Sequence, residues 1–288
     1  MSPRAKAYVL AILVVCVLAL ALLPRPLRGV DTPKKLIMGL HPNMSVKTVV
    51  TIYQPLQEYL EKELGRELGL SSAPDLKSYF KRLVQRDFDL AVSPPHLARV
   101  AQLNANLIPV AYFANQLSGV MIVAKTSQLQ EIRQLRGLNV ALTPPYSFTN
   151  IAGRKLLRDH GLQPGFDVMI SEIELHDQAA VAVDRGTVHA AIIGSLAFQQ
   201  LPKALNERLR IIGVTESAPS LFFLANPDLS EQDLRQLKSA LLKFPATAEG
   251  RAFLKDNGFE GLLPATEAAL AKLDAYAKQL SKLIEIPK

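Results

Sequence analysis

From residue 35 to 225 the chain alternates between short apolar runs and stretches whose apolar residues recur every three to four positions. Short apolar runs bounded by Gly or Pro suit buried strands, and the 3.6-residue period suits helices packed on one face. The runs predict strands at 35–40, 66–71, 88–92, 107–113, 119–124, 138–142, 168–173, 188–193, 210–214 and 221–225. The periodic stretches predict helices at 45–64, where Val49, Ile52, Tyr53, Leu56, Tyr59 and Leu60 share a face, and at 74–85, 96–104, 126–136, 151–157 and 177–184. Residues 215–220 read as a turn, and three helices close the chain at 230–242, 246–257 and 266–283. In the last of these Leu270, Leu273, Tyr276, Ala277, Leu280 and Ile284 recur at helical spacing as a core-facing stripe. Strand and helix in alternation predict an α/β fold with largely parallel sheets.

Two segments repeat each other about 100 positions apart. Helix end and strand start at 86–92 match those at 185–192, with Phe88/Val188, Ala91/Ala191 and Val92/Ile192 in phase. Each strand then meets a breaker and a new helix, at Pro94 and at Gly194. Two similar α/β halves would set strand ends and helix N-termini face to face across a cleft, where ligands of open α/β sheets bind.

The stretch 143–154, TPPYSFTNIAGR, carries the most chemistry. Two prolines stop the preceding strand, and Ser147, Thr149 and Asn150 all favour a helix N-terminus, where their side chains accept from free backbone N–H groups. Hydroxyls beside an open helix N-terminus suit an anion; the same residues also suit an ordinary capped connection.

Composition changes the picture mainly at the N-terminus. Arg4 and Lys6 precede a 17-residue apolar run at 7–23 that ends at Pro24, the pattern of an export leader at 1–23. Ala19, Leu20 and Ala21 suit cleavage after Ala21, while the run also suffices for one membrane anchor; both readings stand. The only cysteine, Cys16, lies within this run, and bulky Val15 before it argues against lipidation. The exported part therefore has no thiol for a disulfide, a nucleophile or a metal. Residues 24–32, rich in Pro and Arg, read as a tether. Four of the 33 basic residues precede Gly29 and no acid does, which leaves 29 against 26, or +3, from there on. So mild and dispersed a charge does not point to nucleic acid, and a small anion needs only a local field.

Catalytic motifs are missing: G-x-S-x-G, H-E-x-x-H, a Walker loop and G-x-G-x-x-G do not occur. His41, His96, His160, His176 and His189 show no ligand-like spacing, so neither a metal nor another cofactor is expected. Binding, not catalysis, is the class these residues support.

Gly39 followed by Tyr53, Pro55, Leu56, Tyr59, Leu60 and Glu61 reads G…Y-x-P-L-x-x-Y-L-E, which is similar to the opening of the periplasmic substrate-binding proteins of phosphate, phosphite and phosphonate ABC importers, and further stretches resemble that family in order. Asp89, Leu90 and Ala91 resemble its D-I-A strand, and 132–141 its I-x-x-L-x-G-K-x-V-A linker. His176, Ala179, Val181, Ala182, Val183, Gly186 and 189–191 resemble its H…A-x-A-V…G-x-V-D-A-A run. The resemblance implies a two-lobed type II fold, each lobe a mostly parallel sheet flanked by helices, joined by two crossover strands. Lobe one would comprise 33–116 plus 221–288, and lobe two 117–220.

The resemblance also implies the site. Where the family carries D-P-x-S-T-S-G, this chain keeps two hydroxyls, Ser147 and Thr149, with Phe148 for the middle one and Asn150 for the glycine. His176 keeps the family's histidine. Leu76 replaces a tyrosine, Ser93 another aromatic, and Ser220 the acid that would pair with a ligand amino group. Together with His41, these positions would take a small phosphonate-, phosphite- or phosphate-like anion between the lobes and present it to an ABC permease. The alternative is a membrane-tethered accessory protein that reports a ligand to a receptor; an enzyme on this scaffold would additionally require turnover.

Overall fold

The computed structural model describes residues 35–283. The leader, the tether, Cys16 and the stripe residue Ile284 lie outside the described residues. In chain order the strands are β1 (Leu36–Leu40), β2 (Leu68–Ser71), β3 (Leu90–Ser93), β4 (Ile108–Phe113), β5 (Gln116–Ala124), β6 (Asn139–Leu142), β7 (Met169–Glu172), β8 (Ala190–Gly194), β9 (Leu209–Pro219), β10 (Phe222–Ala225) and β11 (Leu262–Pro264). They build two sheets, a six-stranded one ordered β11-β4-β10-β3-β1-β2 and a five-stranded one ordered β7-β6-β8-β5-β9.

The sheets are mixed rather than mostly parallel. In the first, β1 pairs parallel with β2 and β3, but β10 pairs antiparallel with β3 and β4, and β11 antiparallel with β4. In the second, β6 pairs parallel with β7 and β8, but β5 pairs antiparallel with β8 and β9. The reason is connectivity. Strands reached through a helix run parallel, whereas strands that arrive from the other sheet by a short link run the opposite way. Each sheet thus contains one four-strand unit, β2-β1-β3-β10 and β7-β6-β8-β5, with the last strand reversed. This order gives the repeat at Phe88/Val188 a structural counterpart, since β3 and β8 occupy equivalent places.

The chain crosses between sheets twice, at 114–115 and at 220–221. The two crossings lie side by side: Gln116 pairs with Pro219, and the Phe113 N–H donates to the Leu221 carbonyl at 3.1 Å. Residues 215–220, expected as a turn, mostly continue β9. Their polar alternation is that of a half-exposed edge strand, and Thr215 turns inward to accept the Gly119 N–H at 2.7 Å.

Many motif residues serve the framework. The Asp89 carboxylate accepts the Ile37 N–H at 2.8 Å and its own N–H donates to the Ile37 carbonyl, which stitches β3 to β1. Gly39 lies under the Phe88 ring, where an added Cβ would sit 2.5 Å from ring carbons. Helix Val46–Leu64 buries Val49, Ile52, Tyr53, Leu56 and Leu60; at its far end Glu61 accepts the Leu68 N–H and Tyr59 donates to the Ala240 carbonyl.

Two expected helices differ. Of 126–136 only Ile132–Leu135 is helical, as one 3-10 turn. The Gln134 side chain accepts the N–H groups of Gln130 and Glu131, and Arg210 donates to the carbonyls of Ser127 and Leu129, so side chains satisfy the backbone that a helix would have paired. The last helix is two, Glu267–Ala271 and Asp274–Ser281, although Leu270, Leu273, Ala277 and Leu280 keep one buried stripe. Arg99 holds both pieces, at 2.7 Å from Glu267 and 2.7 Å from Asp274.

Candidate functional site

A cavity of about 60 Å³ lies between the two sheets, at the carboxyl ends of β1, β3, β6 and β8. The residues that follow those strands, His41, Pro94 and Thr143, border it, together with Gly194 at the end of β8. One water needs about 10 to 15 Å³ by this measure, so the space suits a small ion with a short organic substituent.

The donor wall comes from the turn after β6. Ser147 caps helix Phe148–Asp159, its hydroxyl accepting the Asn150 N–H at 3.1 Å. The first N–H groups of that helix, those of Phe148 and Thr149, have no acceptor within it. Thr143 contacts the hydroxyls of both Ser147 and Thr149, the latter at 2.6 Å. The Ser147 and Thr149 hydroxyls are also 3.3 Å apart, so the three hydroxyls form a triangle that can use all three of its protons internally. That third contact is the longest of the three and is the one a better acceptor would replace.

Asn150 stands behind this wall rather than on the cavity. Its amide donates to the Thr143 carbonyl and accepts from Arg154 at 2.8 Å, so it fixes the turn. Phe148 borders the cavity but packs into the other half, its ring centroid 6.2 Å from His96 and 5.2 Å from Tyr276. Phenylalanine keeps the backbone N–H and adds an apolar contact across the cleft.

Three imidazoles complete the lining: those of His41 and His96, which are buried, and that of His176, which is half-buried with its Nδ1 enclosed. Burial lowers all three, His41 to about 3 with help from His176, and His96 and His176 each to about 4, so they are neutral at neutral pH. The Nδ1 atom of each is buried without a partner. Among the described residues no group of three or more His, Cys, Asp or Glu is placed to hold a metal ion. Among the described residues Glu174 is the one charged side chain on the lining, and burial together with Asp75 and Glu172 raises its carboxyl above the ordinary range.

Of the residues expected from the sequence, His41, Ser147, Phe148, Thr149 and His176 border the cavity, and Ser93, Asn150 and Ser220 do not. Ser93 is buried, its hydroxyl 3.3 Å from the Pro94 carbonyl; Ser220 is buried at the second crossing with its hydroxyl unpaired. Thr143, His96, Asn43 and Glu174 are additional lining residues. The signal for His96 is legible in retrospect: Ser93-Pro94-Pro95-His96 repeats Thr143-Pro144-Pro145-Tyr146, and the two turns meet where His96 Nε2 donates to the Tyr146 carbonyl at 2.8 Å.

The two halves are latched around the cavity. The His176 N–H donates to the Asn43 carbonyl at 2.9 Å, the Ser45 N–H to Asp177 at 3.0 Å, and the Tyr276 hydroxyl to Glu216 at 2.7 Å.

Residues 38–270 match the family described as ABC transporter, phosphonate, periplasmic substrate-binding protein. Among solved structures, PhnD1 from Prochlorococcus marinus in complex with methylphosphonate shares 17% identity over 87% of this chain and 99% of its own, with a TM-score of 0.75. A binding protein component of an ABC phosphonate transporter from Pseudomonas aeruginosa shares 17% over 86% and 96%, with a TM-score of 0.74. The periplasmic aliphatic sulphonate binding protein SsuA from Escherichia coli shares 18% over 89% and 94%, with a TM-score of 0.62. These likenesses extend over both sheets and the cleft between them, and the family match spans most of the chain: this protein belongs to the phosphonate family of periplasmic, extracytoplasmic substrate-binding proteins, which bind solutes for ABC importers.

Proposed function

We propose that this chain captures a small phosphonate-, phosphite- or phosphate-like anion in the cavity between its sheets and hands it to an ABC permease. The observation that carries the reading is the donor wall. The first N–H groups of a helix, those of Phe148 and Thr149, and the hydroxyl cluster of Thr143, Ser147 and Thr149 meet on the lining of one small cavity. His176 lies across from Gly194 on the same lining and is suited to donate through its ring. That PhnD1 holds methylphosphonate supports a ligand of this size class.

Capture proceeds by closure. Lobes at 33–116 plus 221–288 and at 117–220 swing on the paired crossings, and the latches of Asn43, Ser45 and Tyr276 close over the anion. The anion selects the closed form by its greater affinity for it, and the permease reads that form. Segment 1–23 serves as leader or as anchor; if uncleaved it would tether the chain beside its membrane partner, and it would favour the signalling alternative.

A thermal-shift screen with methylphosphonate, phosphite, phosphate and methanesulfonate tests the reading. At least one of these anions should raise the melting temperature, and Ser147→Ala with Thr149→Ala should weaken its binding. Failure of every anion to shift the transition, or an affinity untouched by the double variant, would sink it.

A further inference from the structure

The donor wall accounts for an anion, but it leaves the opposite side of the cavity unexplained. His96 is fully buried on the first turn of helix Pro95–Ala105 and borders the cavity. Its Nε2 lies 2.8 Å from the Tyr146 carbonyl, an atom that only accepts, so Nε2 carries the ring proton. A neutral ring with its proton on Nε2 has a bare lone pair on Nδ1. That Nδ1 is buried without any partner, a state that costs free energy until a donor arrives.

Among the described residues no lysine or arginine lines the cavity, and Glu174 alone brings a charged side chain to it. The field therefore disfavours a dianion and tolerates a monoanion. Donors on one side and an acceptor on the other describe a ligand that carries both an oxyanion and a hydroxyl.

We infer that the site selects the singly protonated form of its oxyanion, with His96 Nδ1 accepting the hydrogen bond from the ligand's acidic O–H. His96 would thus be a specificity-determining residue that separates phosphonates, which keep such a hydroxyl near neutral pH, from sulfonates, which do not. The inference rests on the anion-capture reading above. The titratable groups around His96 are His41 and His176 in the same cavity and Glu174 on its lining. Along and across its helix Arg99 is engaged by Glu267 and Asp274, and the Tyr276 hydroxyl is engaged by Glu216.

Calorimetric titration of the full chain with methylphosphonate and with methanesulfonate tests the inference. Near pH 6 methylphosphonate should bind roughly 10- to 100-fold more tightly, the effect of leaving a buried acceptor unpaired. Above the second ionisation of methylphosphonate its Kd should rise about tenfold per pH unit, because one proton enters with each ligand. His96→Phe should flatten that slope and shrink the preference. Where the variant does not fold, the two wild-type titrations decide alone. Equal affinities for the two ligands, or a methylphosphonate Kd that stays constant through its second ionisation, would overturn the role of His96 and leave anion capture standing. If neither ligand nor the inorganic anions bind, both readings fall.

Discussion

The two walls of the cavity are built on the same plan and filled with opposite chemistry. After β6 the chain reads Thr143-Pro144-Pro145-Tyr146 and then a helix; after β3 it reads Ser93-Pro94-Pro95-His96 and then a helix. In the first case hydroxyls and helix N–H groups face the cavity, and in the second an imidazole does. Equivalent positions in a repeated framework have thus diverged into a donor side and an acceptor side. The lesson is that a repeat conserves where chemistry is presented, while the side chains decide what is presented.

The sharpest way to break this comparison is acid. His41, His96 and His176 have folded-state values of about 3 to 4 against an ordinary 6.5, so the unfolded chain binds more protons between those limits. Their contribution is whole above about pH 6.5 and is lost as pH falls, at on the order of 1.4 kcal/mol per pH unit for each histidine. Thermal unfolding followed from about pH 7 to pH 4 should show a steep fall that a His41→Gln variant makes shallower.

Phe148→Ser replaces the ring packed on His96 and Tyr276 with a small hydroxyl. The variant should lose about 3 to 4 kcal/mol of stability by denaturant titration, the range for emptying a buried aromatic site. Ser147→Ala with Thr149→Ala should act mainly on binding, weakening methylphosphonate by about 2 to 3 kcal/mol, roughly 30- to 150-fold, as donors to an anion are lost. The capping part of Ser147→Ala alone costs about 1 kcal/mol of stability, which a thermal melt without ligand separates from the binding loss. The smallest effect belongs to Tyr276→Phe. Removing its bond to the half-exposed Glu216 should lower stability by about 1 kcal/mol or less in the same melt, with little change in the pH profile.

Strand and helix positions were largely legible because apolar period reports burial, and burial is what most of these elements share. The failures have local causes. Residues 126–136 have a helical period, yet Gln134 and Arg210 take up the backbone groups a helix would pair, and that competition is invisible without the fold. Residues 215–220 look like a turn because their outward side chains are polar, while the partner strand that keeps them extended lies about 100 positions away. Alternation of strand and helix implies more parallel pairing than the sheets contain, because a strand's direction depends on the sheet its chain came from.

The site was half legible. Ser147 and Thr149 announce themselves as cap residues, and a cap and an anion site draw on the same free N–H groups. His96 was hidden because PHLARV reads as the start of an apolar helix, where a histidine is ordinary. Much of the resemblance to the family, by contrast, falls on framework residues such as Asp89, Tyr59 and Glu61, whose bonds join strands and helices. Framework motifs identify the scaffold more readily than they identify its ligand.

The paired crossings bear directly on the capture reading. Because Gln116 lies against Pro219 and Phe113 is bonded to Leu221, the link between sheets is a ribbon two strands wide, not two independent threads. Such a ribbon resists sliding and twisting in its own plane but folds easily across its face, as a strip of paper does. On the capture reading proposed above, such a link would give the two halves one soft direction of travel, the one that opens or shuts the space between the imidazole and the hydroxyls.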